Sequence, residues 1–296
     1  MSILRKENLF YGALAVITIF ATGCATHKIV VPPITQQTTV QYHPGKFVWH
    51  DLLTQNVSAA KKFYGGLFGW EFEAIDDTLY TLIKLNGNAI GGIVYSDLKK
   101  DVNESQWLSY LSVADVDKAV HYFEENDGQV LRKPWNLKAR GRVAVVTDPQ
   151  GALLVLIKSV NGDPPDKKPT TNDWLWDELL AGDTHSATSF YRNLIGYDEE
   201  IIDKKNERSY HILKYEEKPR AGVVKNPWPK VRPNWLPYVR VEDPVSVAKH
   251  AAELGGKIIF APQLEVRKGS VGIIGDPTGA AVAIQKWPIE DPKGGE

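Results

Sequence analysis

The second half of this chain restates the first at an offset of 127 to 130 residues, and this repeat restricts the possible folds more than any other feature. Trp49-His50-Asp51-Leu52-Leu53 answers to Trp176-Asp177-Glu178-Leu179-Leu180. Ala60, Phe63, Tyr64, Leu67, Gly69 and Trp70 answer to Ala187, Phe190, Tyr191, Leu194, Gly196 and Tyr197. Trp107-Leu108-Ser109-Tyr110 returns as Trp235-Leu236-Pro237-Tyr238, and Asp148-Pro149-Gln150-Gly151-Ala152 as Asp276-Pro277-Thr278-Gly279-Ala280. Blocks recurring in one order at nearly constant spacing require two copies of a domain. The segment between them, residues 159–172, holds three prolines and several charges and reads as a linker. A length of 296 residues agrees with two cores rather than one.

Within each copy the hydrophobic period alternates between helix and strand. Ala60, Phe63, Tyr64 and Leu67 fall on one face of a helix that Asn56 is placed to cap, and Asp183 is placed to cap its counterpart. Tyr80 to Leu85, Ala89 to Val94, Arg142 to Val146 and Leu153 to Ile157 are β-branched runs between Gly, Asn and Pro breaks, so they read as strands. A second helix is predicted over Val116 to Glu125, with a counterpart over Val245 to Leu254 that stops at Gly255-Gly256. The order in each copy is strand, helix, three strands, and then the same again.

This α+β order of paired βαβββ modules, with A-x-x-F-Y-x-x-L-x-G-[WY] on the first helix and D-P-x-G-A before the last strand, resembles the glyoxalase/bleomycin-resistance/extradiol-dioxygenase (vicinal oxygen chelate, VOC) superfamily in its tandem two-domain form. The resemblance covers residues 45–158 and 173–287, leaving 288–296 as a tail. It implies one cleft per domain and, in enzymes of the family, a divalent metal held by side chains of the first and last strands of each module. The corresponding first-strand positions here are Trp49 and Trp176, with Leu108 and Leu236 in the second modules and Val155 and Ala283 in the final strands. None of these side chains can ligate a metal, so no metal or other cofactor is expected. His121, His185, His211 and His250 are scattered along the chain and read as surface or core histidines rather than ligands.

Strand alternation then selects what lines each cleft. Trp49, Asp51, Tyr110 and Ser112 share the cleft face in the first copy, and Trp176, Glu178, Tyr238 and Arg240 in the second. Leu52, Leu111, Leu179 and Val239 take the opposite face, toward the helices. Aromatic walls around a carboxylate suit a small organic ligand. The same residues could equally fill a degenerate cavity, with Glu178 neutralised by Arg240. Three functions stay open: a small-molecule binding module, a metal-free enzyme using Asp51 or Glu178 as a base, and a structural protein acting through protein contacts. G-x-S-x-G, a phosphate-binding Gly loop and a usable Cys-His pair are all absent from the sequence.

The first 23 residues read as an export signal. Arg5 and Lys6 precede an apolar run from Leu9 to Ala21, too short at 13 residues to be a comfortable membrane span. Ala21-Thr22-Gly23-Cys24 resembles the lipobox of bacterial lipoproteins, although Leu is usual where Ala21 stands. Cys24 is the only cysteine, which excludes an internal disulfide and makes lipidation its expected role. That resemblance implies an anchor in the cell envelope, and Ala25 rather than Asp after the cysteine implies the periplasmic face of the outer membrane in a Gram-negative host. Residues 24–44, rich in Thr, Gln and Pro, are expected to form an extended tether. A net charge of −1 removes the broad positive field that nucleic-acid binding needs.

Overall fold

The computed structural model describes residues 31–76, 79–96, 105–202 and 209–288; the expected export signal and Cys24 lie outside them. Domain one runs β1 (Phe47–Thr54), α1 (Val57–Phe68), β2 (Glu71–Asp76), β3 (Tyr80–Leu85), β4 (Asn88–Tyr95), β5 (Gln106–Ser112), α2 (Val116–Glu125), β6 (Gln129–Leu137), β7 (Gly141–Thr147) and β8 (Leu153–Ser159). Domain two repeats this as β9 (Trp174–Ala181), α3 (Thr184–Ile195), β10 (Asp198–Ile202), β11 (Tyr210–Tyr215), β12 (Lys218–Lys225), β13 (Asn234–Val241), α4 (Pro244–Glu253), β14 (Lys257–Phe260), β15 (Val271–Gly275) and β16 (Ala281–Lys286). Each domain is one eight-stranded sheet, ordered β2-β3-β4-β1-β5-β8-β7-β6 and β10-β11-β12-β9-β13-β16-β15-β14. The two βαβββ modules of a domain join where β1 meets β5, and β9 meets β13, antiparallel.

Local chemistry sets the helix ends. The Asn56 side chain accepts from the Ala59 N–H at 3.0 Å, and Asp183 accepts from Ser186 N–H at 3.0 Å. Gly69 and Gly196 close α1 and α3 in the left-handed region, at φ 68° and 86°. Helix α4 begins one residue before the expected Val245, because Pro244 sits in the first turn, where a missing N–H breaks no bond.

The helix-bearing faces of the two sheets pack against each other. Leu111 and the α2 residues Val116, Ala119, Val120 and Phe123 share one buried cluster with Leu179 and the α3 residues Ala187, Phe190 and Tyr191. Leu52 and α1 residues Ala60, Phe63, Tyr64 and Phe68 share another with Val239 and Ala248 and Ala251 of α4. Each helix thus packs with the other domain's non-equivalent helix, which is a local two-fold arrangement. The repeated motifs belong to this interface. Trp235 donates to the Tyr191 hydroxyl at 2.9 Å, which donates to Asp148 of the other domain at 3.0 Å. Trp107 donates to the Tyr64 hydroxyl at 2.9 Å, and Tyr64 interacts with Asp276 across the same axis. Burial pushes the carboxyl groups of Asp148 and Asp276 up in pKa, while hydrogen bonds from their own turns pull the other way.

Two stretches expected to be loose are packed. Val31 and Ile34, in the segment expected as a free tether, are buried against the concave face of domain one. Thr39 N–H bonds the Asn161 carbonyl at 2.8 Å, so this strand of chain also grips the linker. In the linker itself Asp163 is fully buried and accepts from Ser112, Ser159 and the His43 N–H at 2.6, 2.8 and 2.8 Å. Composition marked both stretches as irregular, but irregular chain can pack when its apolar residues and one carboxylate find partners on a finished domain.

Candidate functional site

The concave face of domain one collects Trp49, Tyr80, Leu82, Leu108, Tyr110 and Val155 in one buried cluster. At its centre Asp51 is 1% exposed. Its Oδ1 accepts from Trp49 Nε1 at 2.7 Å and the Tyr80 hydroxyl at 2.9 Å, and its Oδ2 from the Tyr110 hydroxyl at 2.6 Å. Arg140, at 0% exposure, places Nη1 3.4 Å from Asp51 Oδ2 and donates from Nη2 to Tyr80 at 2.9 Å. The guanidinium lies over the Trp49 ring at 4.4 Å, and its Nε donates at 3.1 Å to the carbonyl of Pro32. The cleft of domain one is therefore closed by its own side chains and by residues 31–34.

Domain two carries the equivalent group with a different outcome. Glu178 accepts from the Tyr238 hydroxyl at 2.7 Å and pairs with Arg267, whose guanidinium sits 4.6 Å over the Tyr210 ring. Trp176 Nε1 donates to the Tyr210 hydroxyl at 2.9 Å. The side chain of Arg267 is 24% exposed, against 0% for Arg140. Tyr210, Ile212, Val224 and Trp176 are half-buried where Tyr80, Leu82, Val94 and Trp49 are buried. Leu264 and Val266, beside Arg267 in the chain, are exposed. Nothing in the described residues covers this cleft as Val31 to Ile34 cover the first.

Electrostatics fix the roles of these groups. Burial, reinforced by the facing carboxylates, pushes the hydroxyls of Tyr80, Tyr110, Tyr210 and Tyr238 above the ordinary tyrosine range, so they stay protonated donors. For Arg140 and Arg267 burial works against the charge, but the carboxylate and hydroxyls around each outweigh it and hold the guanidinium charged.

Of the sequence-derived candidates, Trp49, Asp51 and Tyr110 converge in one cleft and Trp176, Glu178 and Tyr238 in the other. Ser112 and Arg240 do not join them. Ser112 bonds Asp163, and Arg240 donates to the Pro169 carbonyl at 2.8 Å, so both hold the linker. The partner of Glu178 is Arg267 instead of Arg240. Sequence reasoning missed Tyr80, Tyr210, Arg140 and Arg267, although Leu137-x-x-Arg140 recurs as Leu264-x-x-Arg267 at the repeat offset of 127. Gly92 and Gly222 were a further signal. A Cβ at Gly92 would stand 2.1 Å from the Tyr80 hydroxyl, and one at Gly222 2.2 Å from that of Tyr210, so only glycine lets each tyrosine cross to the carboxylate. The exposed pairs His121–Glu125 and His250–Glu253 lie on helix surfaces, and His211 pairs with Glu199 in the adjacent strand.

Among the described residues, neither cleft groups side chains suited to a divalent metal. The family positions Trp49, Leu108 and Val155 offer no ligating atom, and a guanidinium already supplies the positive charge beside Asp51. Among the described residues no three His, Cys, Asp or Glu side chains are grouped to hold an ion. The purified protein is expected to contain no stoichiometric divalent metal by elemental analysis and to keep its Tm in EDTA, since a bound ion would stabilise by mass action. One equivalent of metal per domain, or a chelator-induced fall in Tm, would contradict this.

Comparison with known proteins agrees with the geometry. The glyoxalase/bleomycin resistance protein/dioxygenase superfamily model matches residues 46–156. A Mycobacterium tuberculosis protein named "Putative glyoxylase CFP32" is 30% identical over 256 residues, covering 83% of this chain and 96% of that protein. The anthracycline biosynthesis protein DauV of Streptomyces sp. is 25% identical over 262 residues, covering 82% and 94%. Among solved structures, a Mn(II)-bound glyoxalase from Novosphingobium aromaticivorans superposes with a TM-score of 0.57 at 14% identity, covering 82% of each chain. Homoprotocatechuate 2,3-dioxygenase from Brevibacterium fuscum gives 0.58 at 12%, covering 88% of this chain and 77% of its own. The order of strands, the paired modules and these relatives together place the chain in the glyoxalase/bleomycin resistance protein/dioxygenase superfamily, as a tandem two-domain member.

Proposed function

We propose that this chain is an envelope-anchored, metal-free member of its family that binds a small organic molecule in the cleft of domain two, while the cleft of domain one has become structural. The observation that carries the reading is the unequal access of equivalent residues: Arg140 is sealed, and Arg267, Tyr210 and Trp176 are reachable from solvent. An aromatic wall with one guanidinium and one carboxylate favours a ligand with a flat apolar body and a polar group. Relatives named for glyoxylase and for anthracycline biosynthesis lend support to a small organic ligand. General-base chemistry has less support, because the oxygens of Asp51 are occupied by three donors and a guanidinium.

The anchor would act through Cys24. Only six residues lie between it and Val31, a reach of at most about 25 Å, so lipidation would hold the plugged cleft of domain one near the bilayer and leave that of domain two to solvent. Cys24→Ser is expected to move the chain out of the membrane fraction; unchanged mass and extraction would end the lipoprotein reading.

A library of small aromatic compounds, screened by intrinsic tryptophan fluorescence, is expected to yield ligands that raise Tm. Their affinity should fall tenfold or more in Glu178→Gln and in Gly222→Val, whose added side chain enters the cleft. A library that stabilises nothing, or ligands indifferent to both variants, would sink binding in favour of a structural role.

A further inference from the structure

A cavity of about 420 Å³ lies where the two domains and the linker meet. Its walls come from equivalent segments of the repeat, Lys46 to His50 and Asp173 to Asp177, with Pro164 to Lys167 of the linker above them. Phe47 and Trp174, themselves equivalent positions, form the apolar part. On the local axis His50 meets its own counterpart, Asp177. His50 Nε2 lies 3.0 Å from Asp177 Oδ1, which also accepts from Ser109 at 2.7 Å.

Two features of these walls call for a ligand. First, three cations converge on a single carboxylate: Lys46, Lys218 and Arg220 stand 3.0, 2.9 and 2.7 Å from linker residue Asp166. Burial raises the pKa of Asp166, but hydrogen bonds from Arg220, Lys218 and Lys46 outweigh it and hold the carboxyl well below the ordinary range. Over the whole lining Lys46, Lys167, Lys218 and Arg220 face Asp166, Asp173 and Asp177, so the walls keep one positive charge in excess, enough for one further anion or for replacement of Asp166. Second, two side chains that line the cavity keep a buried nitrogen with no partner: Nδ1 of His50, whose side chain is 4% exposed, and Nε of Arg220, whose side chain is 5% exposed. Buried polar atoms normally find a partner, and those left without one mark a place for water or ligand. Because Nε2 of His50 faces a carboxylate, it carries the proton in the neutral ring and leaves Nδ1 as an acceptor.

We infer that this interdomain cavity is a second binding site, taking a small aromatic carboxylate whose acid group engages Lys46, Lys218 and Arg220 and whose hydroxyl donates to His50, with Asp166 holding the cations when the site is empty. The volume suits a single aromatic ring with substituents. The linker carboxylate is an internal competitor, tethered between prolines at positions 164, 165 and 169.

The test is calorimetric titration of the mature chain with 4-hydroxybenzoate and with benzoate. Both are expected to bind, the hydroxylated acid more tightly. Asp166→Asn, which weakens the competitor, should tighten both by tenfold or more, and Arg220→Gln should weaken both by a similar factor. His50→Phe should abolish the preference for the hydroxylated acid and leave benzoate unchanged. Lys46→Met serves as a second cation variant should Arg220→Gln lower Tm. Glu178→Gln reports on the cleft of domain two: affinities that respond to it while ignoring Arg220→Gln and Lys46→Met would put the titrated binding in that cleft and overturn the inference, so failure of one site is distinguishable from failure of the other. Absence of binding by Asp166→Asn, or affinities that ignore both Arg220→Gln and Lys46→Met, would overturn the inference.

Discussion

Asp51→Ala is expected to destabilise the protein by about 3 to 5 kcal/mol, the usual loss when one member of a buried ion pair is removed. Arg140 would keep its charge at 0% exposure with no counter-ion, and Trp49 and Tyr110 would lose their acceptor. Desolvation of the stranded guanidinium is the dominant loss; the hydrogen bonds contribute about 1 kcal/mol each. The double variant Asp51→Leu/Arg140→Met removes both charges and should recover most of the deficit, since an apolar pair can fill such a site at little cost. Glu178→Ala should lose distinctly less, because the 24% exposed side chain of Arg267 can turn toward water. Urea unfolding of the four proteins measures this directly. A deficit below about 1 kcal/mol for Asp51→Ala would show that the pair does not hold domain one together.

Residues 173–288 expressed alone are expected not to form a folded monomer. In the whole chain Leu179, Tyr191, Val239 and Ala251 are 0% exposed, and their clusters are completed by residues of domain one. Burying one large apolar side chain contributes about 1.5 to 3 kcal/mol, so uncovering even part of two such clusters approaches the 5 to 15 kcal/mol by which a typical domain is stable. Asp148, the acceptor of the Tyr191 hydroxyl, would also be missing. The isolated half should aggregate or pair with a second copy through the face that normally meets domain one. Light scattering coupled to gel filtration, with far-ultraviolet circular dichroism, distinguishes these outcomes from a folded monomer, which would refute the claim that the domains are interdependent.

Much of the fold was legible because it rests on short-range rules. Asn56 and Asp183 cap helices, Gly69 and Gly196 end them, and the alternation of Leu52 against Asp51 sorts one face from the other, all within a few residues of each other. The repeat added the long-range information that period alone lacks, since whatever the first copy builds the second must build too. The candidate cleft carboxylates and their tyrosines Tyr110 and Tyr238 followed from this alternation. Ser112 and Arg240 followed the same logic and were misplaced, because the linker competes for them at the strand ends.

By itself, then, the sequence determined two βαβββ-paired domains and, in the first and fifth strands of each copy, the face that carries Asp51 and Tyr110 or Glu178 and Tyr238. Only the tertiary structure decided that Arg140 and Arg267 neutralise carboxylates 89 residues away in sequence, that Val31 to Ile34 close one cleft and leave its twin accessible, and that His50 meets Asp177 on the axis between domains. The physical reason is that capping and periodicity act over a few residues, where neighbours are fixed by the chain. Charge pairing and solvent access depend on which distant segments the finished sheets bring together, and two copies built on one plan become different once a flanking segment packs on one of them.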